Sequence, residues 1–180
     1  MLIYLGITLF LLLCLLLFSS PRFSPIPYFP TNRKDIPLII KGLALKNNQT
    51  VVDLGAGDGI VIFEAAKASL QDKLNTQFIA VEINPILVFI LHLHRLFHPN
   101  RKNIKIIFGD MFKIDFMDFI NFKNFITIYL YVSPWLIDKI LRHIKKQIKE
   151  FSVISYMYDS KLLKNKEKII KGVHNIYVYN

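Results

Sequence analysis

Val51-Val52-Asp53-Leu54-Gly55-Ala56-Gly57-Asp58-Gly59 is the stretch on which the fold turns. It reads as a buried strand, a glycine turn and the first residues of a helix. Glycines at every second position let the backbone pass close to a ligand with no Cβ atoms in the way. The helix that follows would aim its free N–H groups and the positive end of its dipole at that ligand. The spacing is G-x-G-x-G; the G-x-G-x-x-G of dinucleotide enzymes would need glycine where Ile60 stands. Asp53 closes the strand just before the turn. A glycine turn with no ligand is the plain structural alternative, and acids at later strand ends weigh against it.

Outward from this stretch, strand and helix patterns alternate. Strands are predicted at residues 50–54, 77–82, 104–108, 125–131 and 151–158. Helices are predicted at 35–45, 59–70 and 134–149, and one opens at Asn84-Pro85, an N-cap followed by proline at the first helical position, and runs to Phe97. Thr31-Asn32 offers cap chemistry for the first of them. In the helix at 134–149, Leu136, Ile137, Ile140, Leu141, Ile144 and Ile148 form an apolar stripe, and Lys139, Arg142, Lys145, Lys146 and Lys149 cover the rest. Residues 168–170 and 175–179 pair as a terminal hairpin. This alternation predicts an α/β domain with a mostly parallel sheet, helices on both faces and an antiparallel C-terminal edge.

With 180 residues, the chain is long enough for one such domain with a real core. It is 53% hydrophobic, much of the excess lying at the N-terminus. The formal charge of +10 favours anionic partners, phospholipid headgroups or nucleic acid, without choosing between them. One cysteine, Cys14, excludes an internal disulfide. Residues 2–18 are uncharged and apolar, near the lower limit for crossing a bilayer. Nothing basic precedes them except the terminus, which counts against a cleaved signal peptide; Arg22, Arg33, Lys34, Lys41 and Lys46 follow. The expectation is a single-pass membrane anchor at 1–20 with the catalytic domain cytoplasmic. Residues 21–34, with four prolines between Pro21 and Pro30, form a linker, and 35–180 form the domain.

D-x-G-x-G-x-G after an apolar strand resembles the signature of class I S-adenosylmethionine (SAM) methyltransferases residue for residue. The resemblance implies a Rossmann-like methyltransferase fold with SAM as cofactor, and the other strand ends meet its demands. Glu82 ends the second strand, 23 positions after Gly59, close to the spacing at which nucleotide-binding folds place a ribose-binding acid. Asp110, with Met111 and Phe112, can supply an acceptor for the adenine amino group and apolar contact for its ring. Gly55 and Gly57 permit close approach of the amino-acid part, and Asp53 can accept from its ammonium group. Gly59 completes the motif.

The order of apolar anchor, Pro27-Tyr28-Phe29-Pro30-Thr31, the glycine motif and Glu82-Ile83-Asn84-Pro85 is similar to a narrower family. It comprises small membrane-anchored SAM methyltransferases of bacteria and archaea and the mitochondrial protein-lysine methyltransferases of animals. By that resemblance Thr31 and its neighbours lie over the SAM site, and Leu130 to Pro134 flank the methyl group. Tyr131, Ser133, Pro134 and Trp135 are then the candidates to line the acceptor site, with packing at a strand–helix junction the competing role for Tyr131 and Trp135. Lysine as acceptor is implied by the eukaryotic branch alone. The chain departs from the family in having Ile60 where a basic residue is common. The fourth strand also lacks the Asn/Asp-Pro-Pro-Tyr of amide and adenine N-methyltransferases, carrying Tyr131-Val132-Ser133-Pro134-Trp135 instead.

His92 and His94 cannot easily share a metal, because helical residues two apart point about 200° apart; His94 and His98 could, but Pro99 ends the helix there and no carboxylate is near in sequence, so no metal is expected. The basic face at 139–149 suits solvent, anionic lipid or nucleic acid. The expected function is a membrane-anchored SAM-dependent methyltransferase acting on a protein side chain, lysine by resemblance, with a membrane-associated protein substrate. Nucleic acid is not expected as partner, for want of a recognisable RNA-binding appendage. The alternatives are a methyltransferase of RNA or of a membrane-associated small molecule, or a non-catalytic SAM-binding membrane protein.

Overall fold

The structure, a computed structural model, describes residues 1–19, 28–163 and 167–180. Helices α1 (Leu2–Ser19) and α2 (Ile36–Leu43) precede a sheet built from β1 (Gln49–Leu54), β2 (Thr76–Glu82), β3 (Ile104–Phe108), β4 (Phe125–Leu130), β5 (Ser152–Tyr156), β6 (Glu167–Lys171) and β7 (Asn175–Tyr179). Between them lie α3 (Ile60–Gln71), α4 (Pro85–Phe97) and α5 (Pro134–Lys145). The strand order is β3-β2-β1-β4-β5-β7-β6. The first five run parallel, and β7 enters antiparallel between β5 and β6. The predicted Rossmann-like sheet and its antiparallel edge are both present, and the hairpin falls where the apolar alternation puts it.

β1 sits at the centre of the five parallel strands and every one of its residues is buried. Its side chains alternate between two cores. Val51 joins Ile39 and Leu43 of α2, Ile62, Ala65 and Ala66 of α3, and Phe78. Val52 and Leu54 join Ile128, Leu130 and the buried stripe of α5, Ile137, Ile140, Leu141 and Ile144. Each of those α5 side chains contributes roughly 1.5–3 kcal/mol on burial. α5 ends at Lys145, earlier than predicted. Its last turn tightens, the Gln147 N–H donating to the Ile144 carbonyl, and the Gln147 side chain accepts from the Phe116 N–H at 2.8 Å. In α4 the expected cap is in place, the Asn84 side chain accepting from the Ile86 and Leu87 N–H groups.

The start of α2 differs from its prediction. The residue preceding it is Asp35, whose side chain makes no cap. Its carboxylate instead accepts from Tyr156 Oη at 2.7 Å and from the Val173 and His174 N–H groups at 2.7 and 3.0 Å. It therefore clasps α2 to β5 and to the β6–β7 turn. Burial works to raise the Asp35 pKa, but the Tyr156 hydroxyl and the two N–H groups outweigh it and hold the carboxyl below its usual range.

The transmembrane anchor expected at 1–20 is corrected here. α1 has 18 residues, giving about 27 Å against a hydrocarbon core of roughly 30 Å. Among the described residues no helix is long and apolar enough to cross a membrane. α1 runs beside α4. Residues 21–27 of the linker expected at 21–34 lie outside the described residues. Its end, from Tyr28 to Thr31, lies along the ligand cleft.

Candidate active site

The sheet reverses its winding between β1 and β4, and open α/β sheets bind ligands in the crevice at the strand ends there. A cleft occupies that position. It is lined by Asp53 and the glycine turn after β1, Glu82 and Ile83 after β2, Asp110 to Phe112 after β3, and Tyr129, Tyr131 and Val132 of β4 and its exit. Tyr28, Phe29 and Thr31 complete it from the N-terminal segment. Parallel strands bring residues from distant parts of the chain together because their carboxyl ends all emerge on one edge of the sheet.

The turn is built as its glycines require. Gly55, Gly57 and Gly59 have φ of +84°, +60° and +78°, the left-handed region that side chains rarely adopt. A Cβ on Gly57 would lie 2.7 Å from the Tyr28 ring, and one on Gly55 would lie 2.9 Å from Met111 Cε. Gly59 has another task. It precedes α3, and a Cβ there would run into Leu91 and the Phe63 ring. Of the glycines predicted to meet the cofactor, Gly55 and Gly57 line the cleft and Gly59 does not.

Glu82 reaches back into this turn. One carboxylate oxygen accepts from the Gly57 N–H at 2.8 Å, and the other accepts from the Ile83 and Asn84 N–H groups at 2.9 and 2.8 Å. Its expected role toward a ribose is thus joined by a structural one, holding the loops after β1 and β2 in register. Burial pushes its pKa up, against the three N–H groups that favour its charged form. Asp53 is buried beside it. Burial first, then the charges of Glu82 and Asp58, drive the Asp53 carboxyl well above the usual range. Asp110 accepts from the Phe112 N–H at 2.9 Å and pairs with Lys113 at 3.6 Å.

Over the turn, the Tyr28 hydroxyl bonds to Asp58, and burial followed by that acid's charge pushes it up to about 12. On the acceptor side, the Tyr131 ring meets Tyr156 edge-on at 4.9 Å, and its hydroxyl lies 3.9 Å from Met157 Sδ. Ser133 precedes α5 without a side-chain cap, Pro134 opens that helix, and Trp135 is 77% exposed. These three are outside the cleft lining, whereas Tyr131 is within it. Sequence reasoning did not single out Asp58 or Tyr129, whereas Tyr28 falls in the 27–31 segment expected over the SAM site. Tyr129 could have been found by strand period, since it shares a face of β4 with Tyr131. Two of the three histidines are engaged in packing: His94 and His98 lie against the Phe63 ring, and His98 Nε2 is 3.1 Å from the Phe63 carbonyl.

Left-handed glycines, a buried acid at the first strand end and a further acid after each of the next two fit SAM. Comparison with known proteins agrees. Residues 27–174 match the family model for ribosomal RNA adenine dimethylase. The chain is 31% identical over 121 residues to the "Probable ribosomal RNA small subunit methyltransferase A" of Methanosarcina mazei, covering 67% of this chain but only 39% of that protein. An RNA methyltransferase from Salinibacter ruber, solved with S-adenosyl-L-homocysteine, superposes with a TM-score of 0.67 at 19% identity over 84% of this chain and 92% of that one. The 23S rRNA methyltransferase ErmE superposes at 0.61, with 14% identity over 84% of this chain and 68% of that one.

Three expectations are corrected. The family matched is that of ribosomal RNA adenine dimethylase and not the membrane-anchored one that the resemblance implied. The dismissal of nucleic acid as a partner is overturned, since the matching family and relatives are named for action on ribosomal RNA. Membrane partnership and single-pass localisation are corrected as well, since among the described residues no helix is long and apolar enough to cross a membrane. The cofactor is SAM, and the chain belongs to the ribosomal RNA adenine dimethylase family of SAM-dependent methyltransferases.

Proposed function

We propose that the protein methylates RNA. The match over residues 27–174 carries this reading. The basic face of α5 supports it: Lys139, Arg142 and Lys145 are exposed on a helix that begins at the acceptor side of the cleft, where a phosphate backbone would be held. SAM supplies a methyl group already activated as a sulfonium. What the chain contributes is alignment and dryness. Asp53, Gly55 and Gly57 would hold the amino-acid end, Glu82 the ribose, and Asp110 with Met111 the adenine, while Thr31 covers the site. Tyr131 would face the acceptor, with Ser133, Pro134 and Trp135 at the rim.

One observation favours a second reading, methylation of a protein amine. The exit of β4 carries Tyr131-Val132-Ser133 and no carboxamide or carboxylate to accept from a nucleobase amino group. An aromatic, poorly hydrated site such as Tyr131 and Tyr156 form would lower the pKa of an ammonium and free its lone pair. Both readings meet one experiment, in which labelled SAM and the protein are incubated with deproteinised ribosomal RNA and, separately, with the protein fraction of the same cells. The RNA reading expects ribonuclease-sensitive label, recovered as a methylated base. Label only in protease-sensitive material would reject it in favour of the amine.

A further inference from the structure

β1 and β4 are adjacent, and their register pairs Asp53 with Tyr129. The two side chains therefore leave the sheet on one face, side by side, and each residue is only 2% exposed. Both line the cleft. The Tyr129 hydroxyl has no hydrogen-bond partner among the described residues. The Thr31 side chain is near enough to influence it, yet the geometry closes no bond. Buried polar atoms in native proteins are nearly always satisfied, so an unbonded phenol on the floor of a ligand cleft marks a place where a ligand atom belongs.

We propose that the Tyr129 hydroxyl binds the amino-acid end of SAM, accepting a hydrogen bond from its α-ammonium group beside the Asp53 carboxylate. The assignment rests on SAM occupying this cleft. Three features of the site converge on a cation at this point. Asp53 is a buried acid whose surroundings contain Glu82 and Asp58, so its charged form lacks compensation until a positive group arrives. Gly55 and Gly57 line the same cleft and put no side chain of their own into it. Tyr129 adds an acceptor without adding a further negative charge to a place that already holds several. Its own proton remains available for Asp53 or for the cofactor's carboxylate, so one hydroxyl can satisfy both partners of the amino-acid group.

The test is Tyr129→Phe in the full chain, with calorimetric binding of SAM and, separately, of 5′-methylthioadenosine. The second probe keeps the adenosine and sulfur but lacks the amino-acid end. The expected result is a loss of about tenfold in SAM affinity with methylthioadenosine affinity unchanged. The ligand-free variant should melt at or above the wild-type Tm, because Phe keeps the ring and removes an unbonded buried hydroxyl. Unchanged SAM affinity overturns the proposal, and so does an equal loss for both probes. A lowered ligand-free Tm without selective loss of SAM also overturns it, by marking a structural hydroxyl. Failure of the wild type to bind SAM would instead remove the cofactor assignment itself, and it is recognised before any variant is made.

Discussion

At the scale of single residues, burial raises the pKa of two acids of the cleft, Asp53 and Glu82. For Asp53 the direction has a consequence for stability. Its folded pKa is raised, so between the usual carboxylate pKa and the folded one the native state holds a proton that the unfolded chain has released, and stability falls as pH rises. Asp53→Asn removes that dependence. The Tm of the ligand-free variant minus that of wild type should therefore grow as pH is raised from about 4 toward neutrality, as read by thermal melts across a pH series, while SAM binding weakens. A difference that is flat with pH would mean Asp53 is ionised in the folded protein without penalty. Glu82 behaves differently because its oxygens hold the Gly57, Ile83 and Asn84 N–H groups. Glu82→Ala should weaken SAM binding about tenfold and also cost roughly 1–3 kcal/mol of stability, since those buried donors lose their acceptor. Calorimetry paired with urea unfolding separates the two effects. Lost affinity with full stability would assign Glu82 to the ribose alone.

At the scale of elements, the Asp35 carboxylate holds three of them together: α2, β5 through Tyr156, and the β6–β7 turn through Val173 and His174. The turn is fitted closely around it, for a Cβ on Gly172 would collide with the Asp35 carboxylate. Asp35→Ala leaves a buried hydroxyl and two N–H groups unpaired, and should cost about 2–4 kcal/mol in chemical denaturation. The Asp35 pKa is lowered, so its contribution is present above the ordinary carboxylate range and is lost as pH falls through the folded value. The wild-type advantage over Asp35→Ala should thus shrink in acid, opposite to the behaviour of Asp53. The clasp also bears on the cleft, because Tyr156 is the ring against which Tyr131 packs.

At the scale of the whole molecule, the charge of +10 has its structural outlet on surfaces such as the outer face of α5. If that face tracks RNA, replacing Lys139, Arg142 and Lys145 together by Gln should weaken RNA binding at every sequence. It should also flatten the plot of log affinity against log salt by about 0.7 for each phosphate no longer neutralised. SAM binding should not change. Equal salt slopes for the variant and the wild type would place the RNA path elsewhere. The chain spans 39% of the length of its Methanosarcina relative, so the expected change is that of this unit and the phosphates it reaches itself.

The sequence alone determined the order of elements and the cofactor. Both are written in local signals: apolar period, the cap and proline at Asn84-Pro85, the left-handed demands of Gly55 and Gly57, and acids closing successive strands. The tertiary structure decided what depends on partners distant in the chain. It turned Asp35 from an expected helix residue into a clasp with residues 173 and 174, gave Glu82 its hold on Gly57, and gave Gly59 a place in the packing of α3 against α4. It also set Tyr129 beside Asp53, since register between β1 and β4 is a property of the sheet and not of either strand. The apolar run at the N-terminus shows the opposite limit: hydropathy announces a helix wherever it occurs, but a span requires length as well, and among the described residues no helix is long and apolar enough to cross a membrane.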